Sequence, residues 1–416
     1  MKAVVLGGGV IGIASAYYLA ENGYGVTVIE RRDKAASEAS YGNAGLITPG
    51  DSYAWASPGA LRLFLKSLYR RDLGIKIRAH ADPRLWVWSA KFLRQCTTGR
   101  AHINTLRKLK LALYARECLA ALRTRTGIRF DVTDRGVLYF FRSQESLDHG
   151  VAHMRLLADH GLRIEVVDRD ALVRIEPALE PAKDKLAGAI FSPMDQTGDS
   201  CQFGRNLAAW CAEKAGVVFR YGTTVGALEV ESNSVRRAIT DKGPIEADLF
   251  VLSTGAESPR LAQPIGVKLP IYPVKGYSLT VPIRERDSAP RIGGVDEDKL
   301  IAFSRLGDRL RLAAAAEFAG YDTGHRASDF DALLATAKEL FPEGGDYARA
   351  ERWAGLRPMT PSSVPILGRA VHRNLYVNVG HGHVGWTMCC GSGKLLADLV
   401  DGREPEIDPE GLLYTV

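Results

Sequence analysis

Three glycines and one acid near the start of the chain, Gly7-x-Gly9-x-x-Gly12 and Glu30, have the types and spacing to hold a dinucleotide. Gly7 permits a tight turn, Gly9 has no Cβ to keep a pyrophosphate off the backbone, and Gly12 lets a helix pack on a sheet. A helix starting at Val10 and Ile11 offers unpaired N–H groups and the positive end of its dipole to phosphates. Glu30 stands roughly 20 residues past the glycines, where a carboxylate accepts hydrogen bonds from a ribose 2′-OH and repels a 2′-phosphate. A second Gly-rich run, Gly380-His381-Gly382-His383, leads through Val384 to a helical pattern from Gly385, and its successive N–H groups can also bind an anion.

These residues need elements to position them. Residues 3–6 and 26–29 are apolar strands, and the helical pattern between them ends at Gly23, so the opening is a βαβ unit. The glycine fingerprint suits NAD and FAD alike. Residues 60–126 predict helices, with a period of about 3.6 through Leu106, Leu109, Leu113, Cys118 and Leu122. Strands are expected across 130–141 around Arg135-Gly136, and helices at 147–162, Arg169–Ile175 and 206–215. A strand at 217–221 comes next, then a small ribbon and a returning strand at 227–230, 236–240 and 245–253. Tyr272–Pro282 and 309–316 are strands of a second region, 330–340 is a helix, and Leu375–Val379 is a strand that feeds the helix at 385–399.

The first βαβ unit needs further parallel strands to bury both faces, and candidates come only after residue 215 and near residue 376. The expected fold is therefore α/β. A discontinuous Rossmann-like cofactor domain takes 1–60, 200–260 and 352–416. A strand-rich α+β substrate domain with helical segments, 61–199 and 261–351, is inserted through it.

With 416 residues, 46% hydrophobic and 25% charged, the chain has ordinary globular composition and length for two cores. The fingerprint begins at Lys2, which leaves no room for a secretory or transit segment ahead of it, and no apolar run reaches the ~18 residues of a membrane span. The expected location is the cytoplasm, at most peripheral to the inner face of the cell membrane. Six cysteines lack CxxC spacing and read as reduced thiols, vicinal Cys389 and Cys390 as packing residues, and no cluster has metal-ligand spacing. The formal charge is +6, and between Arg62 and Lys110 only Asp72 and Asp82 oppose a run of Lys and Arg. Its segment 61–95, with Leu85-Trp86-Val87-Trp88, can lie on an anionic bilayer surface. The favoured alternative is a set of helices that bury an apolar stripe and solvate their charges. No nucleic-acid motif accompanies the charge.

Four further motifs carry a resemblance. They are Ser40-x-x-Asn43-Ala44-Gly45, Tyr272-Pro273-Val274-Lys275-Gly276-Tyr277-Ser278-Leu279-Thr280, Gly355-Leu356-Arg357-Pro358-Met359-Thr360-Pro361 and Gly380-His381-Gly382-x-x-Gly385-Trp386-Thr387-Met388. In this order and over nearly the whole chain, they resemble the FAD-dependent D-amino acid dehydrogenases, within the D-amino acid oxidase and glycine oxidase group.

The resemblance implies non-covalent FAD rather than NAD, and hydride transfer from a D-amino or D-imino acid. The imino product would hydrolyse to a 2-oxo acid and ammonia, and electrons would pass to a quinone or other carrier. A D-proline or hydroxy-D-proline dehydrogenase, and a D-amino acid or glycine oxidase using oxygen, are the neighbouring activities. The resemblance places Arg357 on the substrate carboxylate, where a guanidinium fork gives two parallel hydrogen bonds; an interdomain ion pair is the competing use of an arginine. It places Ser40, Asn43, Ala44, Gly45, Arg31, Gly255, Gly382, Val384 and Gly385 with the glycine fingerprint around the cofactor. Tyr53, Tyr277 and His383 are candidate walls of the substrate pocket. His383 stands where the family usually has a small residue or Thr, and Ser362-Ser363 where Asp-Gly is frequent. Both departures bear on the preferred side chain.

Overall fold

The computed structural model describes residues 1–60, 75–77 and 82–415. The strand Lys2–Leu6 lies inside a six-stranded sheet. Its unbroken apolar run has a cause on each face. Ala3 and Val5 join a core of helices, while Val4 and Leu6 join a separate core on the other side. Gly25–Ile29 and then Val218–Arg220 pair with it in parallel on one side. Leu249–Leu252 and Leu375–Val379 continue in parallel on the other, and Ile366–Arg369 closes that edge antiparallel. One sheet is thus assembled from three separated parts of the chain.

Helices Val10–Glu21, Thr98–Thr126, Ser200–Lys214 and Gly385–Asp401 cover one face. The ribbon Val225–Glu231, Ser234–Thr240 and Gly243–Glu246 covers the other. The long helix Thr98–Thr126 starts where the Thr97 side chain accepts the Arg100 N–H and ends at Gly127, φ 64°. It buries Leu109, Leu111, Leu119 and Leu122, each worth about 1.5–3 kcal/mol of transfer free energy. No helix among the described residues is long and apolar enough to cross a membrane.

The second region is a nine-stranded sheet. Tyr272–Pro282 lies between Glu351–Met359 and Arg309–Phe318, antiparallel to both. Ile301–Leu306, Gly293–Asp296, Val137–Phe141, Gly188–Ser192 and Glu165–Asp168 extend it, and Ile75–Ile77 pairs with Arg309–Phe318.

Several expectations shift here. Glu351–Met359, given by sequence to the cofactor-binding part, belongs to the second sheet because its partner is Tyr272–Pro282. Thr98–Thr126, given to the substrate part, packs against Gly385–Asp401 on the first. Across 130–141 only Val137–Phe141 is a strand, since Asp131 (φ 51°) and Gly136 (φ 84°) break the extended backbone before it.

Of the basic run, Arg62, Lys66, Arg70, Arg71, Asp72 and Arg78 lie outside the described residues. Within it, Arg107 and Lys110 meet Glu410 and Asp408 at 3.3 and 3.1 Å, acids supplied from the far end of the chain. Lys108 is wholly buried rather than solvated. Trp88 is buried, with Nε1 donating to Met359 O at 2.8 Å, whereas Trp86 is 72% exposed.

Candidate active site

A cavity of about 1240 Å³ reaches from the first glycine turn to Arg357 and is bordered by both sheets. At the first end, Gly7 turns with φ 109° and donates its N–H to Ile29 O at 2.9 Å. A Cβ there would lie 2.5 Å from Ser253 O, so this turn requires glycine. Gly9 has ordinary extended backbone and lines the cavity, and the nearest atom to a Cβ built on it is Ser40 Oγ, 3.6 Å away. The helix Val10–Glu21 has no side-chain cap. Its Val10 N–H goes to Ser40 Oγ at 3.2 Å, and Val10 and Ile11 line the cavity.

Glu30 is fixed at the cavity wall by two backbone donors, Gly8 N–H and Arg32 N–H, each at 2.8 Å. Burial raises its pKa, and those two bonds oppose the shift. Arg31 and Gly255 also line this end, and Arg31 pairs with Glu38 at 3.2 Å. The loop through Ser40, Asn43 and Ala44 is held from beneath by Arg311, whose Nη1 donates to Tyr41 O and Asn43 O at 2.7 and 3.1 Å. Nothing local marks Arg311, which sits among alternating apolar residues of a strand.

Two candidate residues are off the cavity wall. A Cβ on Gly12 would lie 1.9 Å from Gly7 O, so Gly12 packs the helix against the turn. Gly45, φ 80°, takes the Asn43 side chain on its N–H at 2.8 Å and leaves no room before Ser304 Oγ.

Midway along the cavity, Gly382, Val384 and Gly385 border the start of helix Gly385–Asp401, which also lacks a side-chain cap. Its unpaired N–H groups and dipole favour negative charge at that point. His381 is buried, and burial pushes its pKa down to about 3. His383 is pushed well below the usual range by burial and then by Lys108 and Arg357. Its ring stacks on Trp55, centroids 5.0 Å apart. Both imidazoles are therefore neutral at physiological pH.

At the far end, the Arg357 guanidinium lies directly over Gly276, where a Cβ would be 2.5 Å from its atoms. Nη1 donates to Ala315 O at 2.5 Å, and Ala315 is held at φ 68°, an uncommon conformation for a residue with a Cβ. Burial lowers the Arg357 pKa to about 10, with Asp51 opposing, so the group stays charged at neutral pH. Tyr53 stacks on His153 at 3.8 Å, and its buried hydroxyl has no hydrogen-bond partner among the described residues. Tyr277 borders the cavity, but its hydroxyl is bonded to Glu317.

The structure adds Asp51, Trp55 and Glu297 to this end, with Lys108 fully buried behind it and bonded to Tyr53 O. Asp51 closes a one-turn 3-10 helix, Pro49–Asp51, pinned by Gly50 N–H to Asp195 Oδ1 at 3.3 Å and by Thr48 N–H to Thr387 Oγ1 at 3.0 Å. Tyr139 in turn donates to Asp195 Oδ2 at 2.6 Å. Burial pushes Glu297 up to about 8, with Asp51 adding to it. Pro-Gly-Asp reads in sequence as turn chemistry alone, and Lys108 as one more surface cation. Among the described residues no group of His, Cys, Asp or Glu could hold a metal ion. Cys389 and Cys390 are buried and free, with sulfurs 3.8 Å apart.

A parallel sheet with a glycine turn and a fixed acid, joined to a chamber with a half-buried guanidinium, defines a dinucleotide-dependent oxidoreductase. The chain belongs to the FAD dependent oxidoreductase family, whose model matches residues 2–399. It is 55% identical over 414 residues to "D-amino acid dehydrogenase 2" of Mesorhizobium japonicum, covering 100% of both chains. It is 46% identical to the D-amino acid dehydrogenase of Paramagnetospirillum magneticum, covering 99% of this chain and 98% of that one. Among solved structures, glycine oxidase from Geobacillus kaustophilus shares the fold with a TM-score of 0.75 at 24% identity, over 100% and 98% of the two chains. L-proline dehydrogenase from P. horikoshii shares it with a TM-score of 0.72 at 18% identity, over 97% and 94%. The residues present fit FAD. The cavity is long, Gly9 leaves its wall clear, Glu30 is fixed on that wall, and two helix starts without side-chain caps border it, which suits a group carrying phosphates.

Proposed function

We propose that this FAD-dependent oxidoreductase is a D-amino acid dehydrogenase. It oxidises D-amino acids to imino acids, which hydrolyse to 2-oxo acids and ammonia, and passes the electrons to a quinone or another carrier. The observation that carries this reading is the half-buried, charged Arg357 on the wall of the same cavity as the dinucleotide turn. The names of the Mesorhizobium and Paramagnetospirillum relatives support it.

FAD, bound non-covalently along Gly7, Gly9, Glu30, Ser40 and Asn43, supplies the hydride acceptor. Arg357 binds the substrate carboxylate through a forked pair of hydrogen bonds and so orients Cα. Tyr53, Tyr277 and the Trp55–His383 stack wall the chamber and exclude water. The start of helix Gly385–Asp401 stabilises negative charge without any proton donor. His381 and His383, neutral by burial, position rather than titrate. A panel of D- and L-amino acids with a dye acceptor, run beside an oxygen electrode, tests the reading. Turnover is expected for D-amino or D-imino acids with little oxygen uptake. Faster turnover of L-enantiomers overturns the stereochemistry, and rapid peroxide formation under air makes the chain an oxidase. A strong preference for D-proline or its hydroxy derivative narrows the substrate to cyclic imino acids.

The electron acceptor is reached at a membrane. On helix Pro83–Gln95, Trp86, Val87 and Leu93 are 72, 59 and 54% exposed, with Arg84, Lys91 and Arg94 exposed beside them. Apolar side chains amid cations suit a peripheral contact with the anionic inner face of the cell membrane. Cosedimentation is expected with vesicles containing phosphatidylserine and not with neutral ones, and Trp86→Ser with Leu93→Ser should weaken it. Equal sedimentation with both vesicle types counts against the contact.

A further inference from the structure

The substrate end of the cavity holds a carboxylate as well as its guanidinium, and among the described residues the carboxylate has no hydrogen-bond partner. Asp51 lines the cavity with 41% of its side-chain surface open. The nearest positive-capable nitrogen is His383 Nε2 at 3.7 Å, too long for a hydrogen bond, and that ring is neutral. Neither Lys108 nor Arg357 comes within ion-pair distance of Asp51, although both cations act on it through space. Lys108 Nζ is spent on Tyr53 O at 2.5 Å, and Arg357 Nη1 on Ala315 O. The turn that carries Asp51 is held rigid from both sides. Gly50 is sealed against Tyr139 and Asp195, where a Cβ would be 2.5–2.6 Å from their oxygens, and Thr48 is tied to Thr387. A carboxylate held on a fixed turn at the cavity wall, with no donor among the described residues, suits a ligand that brings the missing cation.

We propose that Asp51 binds the α-ammonium group of the substrate while Arg357 binds its carboxylate, so that the pair recognises the zwitterion as a unit. The inference rests on the carboxylate role of Arg357 set out above. The other groups lining this end are in keeping with it: Glu297, pushed up to about 8 by burial, Tyr53 and His383 are uncharged at neutral pH. Asp51 is therefore the carboxylate that an incoming ammonium meets at this end.

The test uses the FAD-loaded enzyme and two ligands that cannot be oxidised. 2-Aminoisobutyrate is a zwitterion without a Cα–H, and isobutyrate has the same skeleton without the amine. Binding is read from the change in the flavin visible spectrum, without turnover. Wild type should bind 2-aminoisobutyrate more tightly than isobutyrate. Asp51→Asn should weaken the zwitterion roughly 10- to 100-fold, the range for a charge-assisted bond. It should leave isobutyrate unchanged or tighter, because a like charge has gone. Asp51→Glu should keep part of the preference, and flavin content checks that each variant is folded. A wild type that binds the zwitterion no better than isobutyrate overturns the proposal. So does an Asp51→Asn variant that keeps the preference or weakens both ligands equally. Arg357→Lys separates the two readings, since it should weaken both ligands together. If it leaves isobutyrate unaffected, the carboxylate role fails, while the difference between the two ligands still reports on Asp51.

Discussion

Arg357→Ala is expected to lose roughly 30- to 5,000-fold in kcat/KM for a D-amino acid, the range for truncating one partner of a buried, hydrogen-bonded charge pair. It should still purify with a full complement of FAD, because Arg357 sits at the end of the cavity away from the glycine turn. The size of the loss comes from the dry setting. The guanidinium is half-buried on the cavity wall, lies over Gly276 and has one nitrogen committed to Ala315 O, so its remaining donors are held ready for a ligand. Arg357→Lys should recover only part of the rate, since an ammonium is a point charge and cannot reproduce the planar fork. The decisive control is the decarboxylated amine of the same substrate. It should be a poor substrate for wild type and should lose far less on Arg357→Ala. Equal losses for amino acid and amine would assign Arg357 to folding or to flavin geometry, and the carboxylate role would be withdrawn.

Gly9→Leu should yield a folded protein with an empty cofactor site. Gly9 has φ −74°, which any residue adopts, and a Cβ would stand 3.6 Å from Ser40 Oγ, an ordinary contact. The apoprotein therefore has space for the side chain, and what it would block is the close approach of a pyrophosphate. Gly12→Ala makes the contrasting control. Its Cβ would be driven to 1.9 Å from Gly7 O, with no flexible side chain to move aside, so folding itself should fail or weaken by several kcal/mol. Circular dichroism and thermal melting of the apoproteins, set beside the flavin absorbance of each preparation, distinguish the two. A yellow Gly9→Leu protein with full flavin occupancy would remove the glycine turn from cofactor binding.

Much of the architecture was legible because it is written in local periodicity. Residues 3–6 and 26–29 sit in a sheet covered on both faces, so they are apolar without interruption, and Tyr272–Pro282 was recognised with the bounds it has in the structure. Gly188–Ser192 and Gly293–Asp296 escaped notice. They are short and rich in glycine, and nothing local marks them as strands. What makes them so is pairing with Val137–Phe141, which lies between them in the sheet.

By itself the sequence determined the dinucleotide turn, because a backbone that must pass close to a phosphate and turn at positive φ leaves only glycine as an answer. It determined the family as well, through motifs whose order along the chain survives folding. The tertiary structure alone decided the substrate end. Asp51 and Lys108 are separated in sequence from Arg357 by hundreds of residues, and each looks ordinary where it stands, one in a Pro-Gly-Asp turn and the other on a basic helix. Only when Thr98–Thr126 packs on Gly385–Asp401 and the 49–51 turn is pinned by Asp195 does Lys108 lose its water beside Tyr53 and Asp51 come to line the same cavity as Arg357. Desolvation and mutual fields belong to that assembled space and to no segment of chain, which is why the residues that should read a zwitterion could not be recognised before it was built.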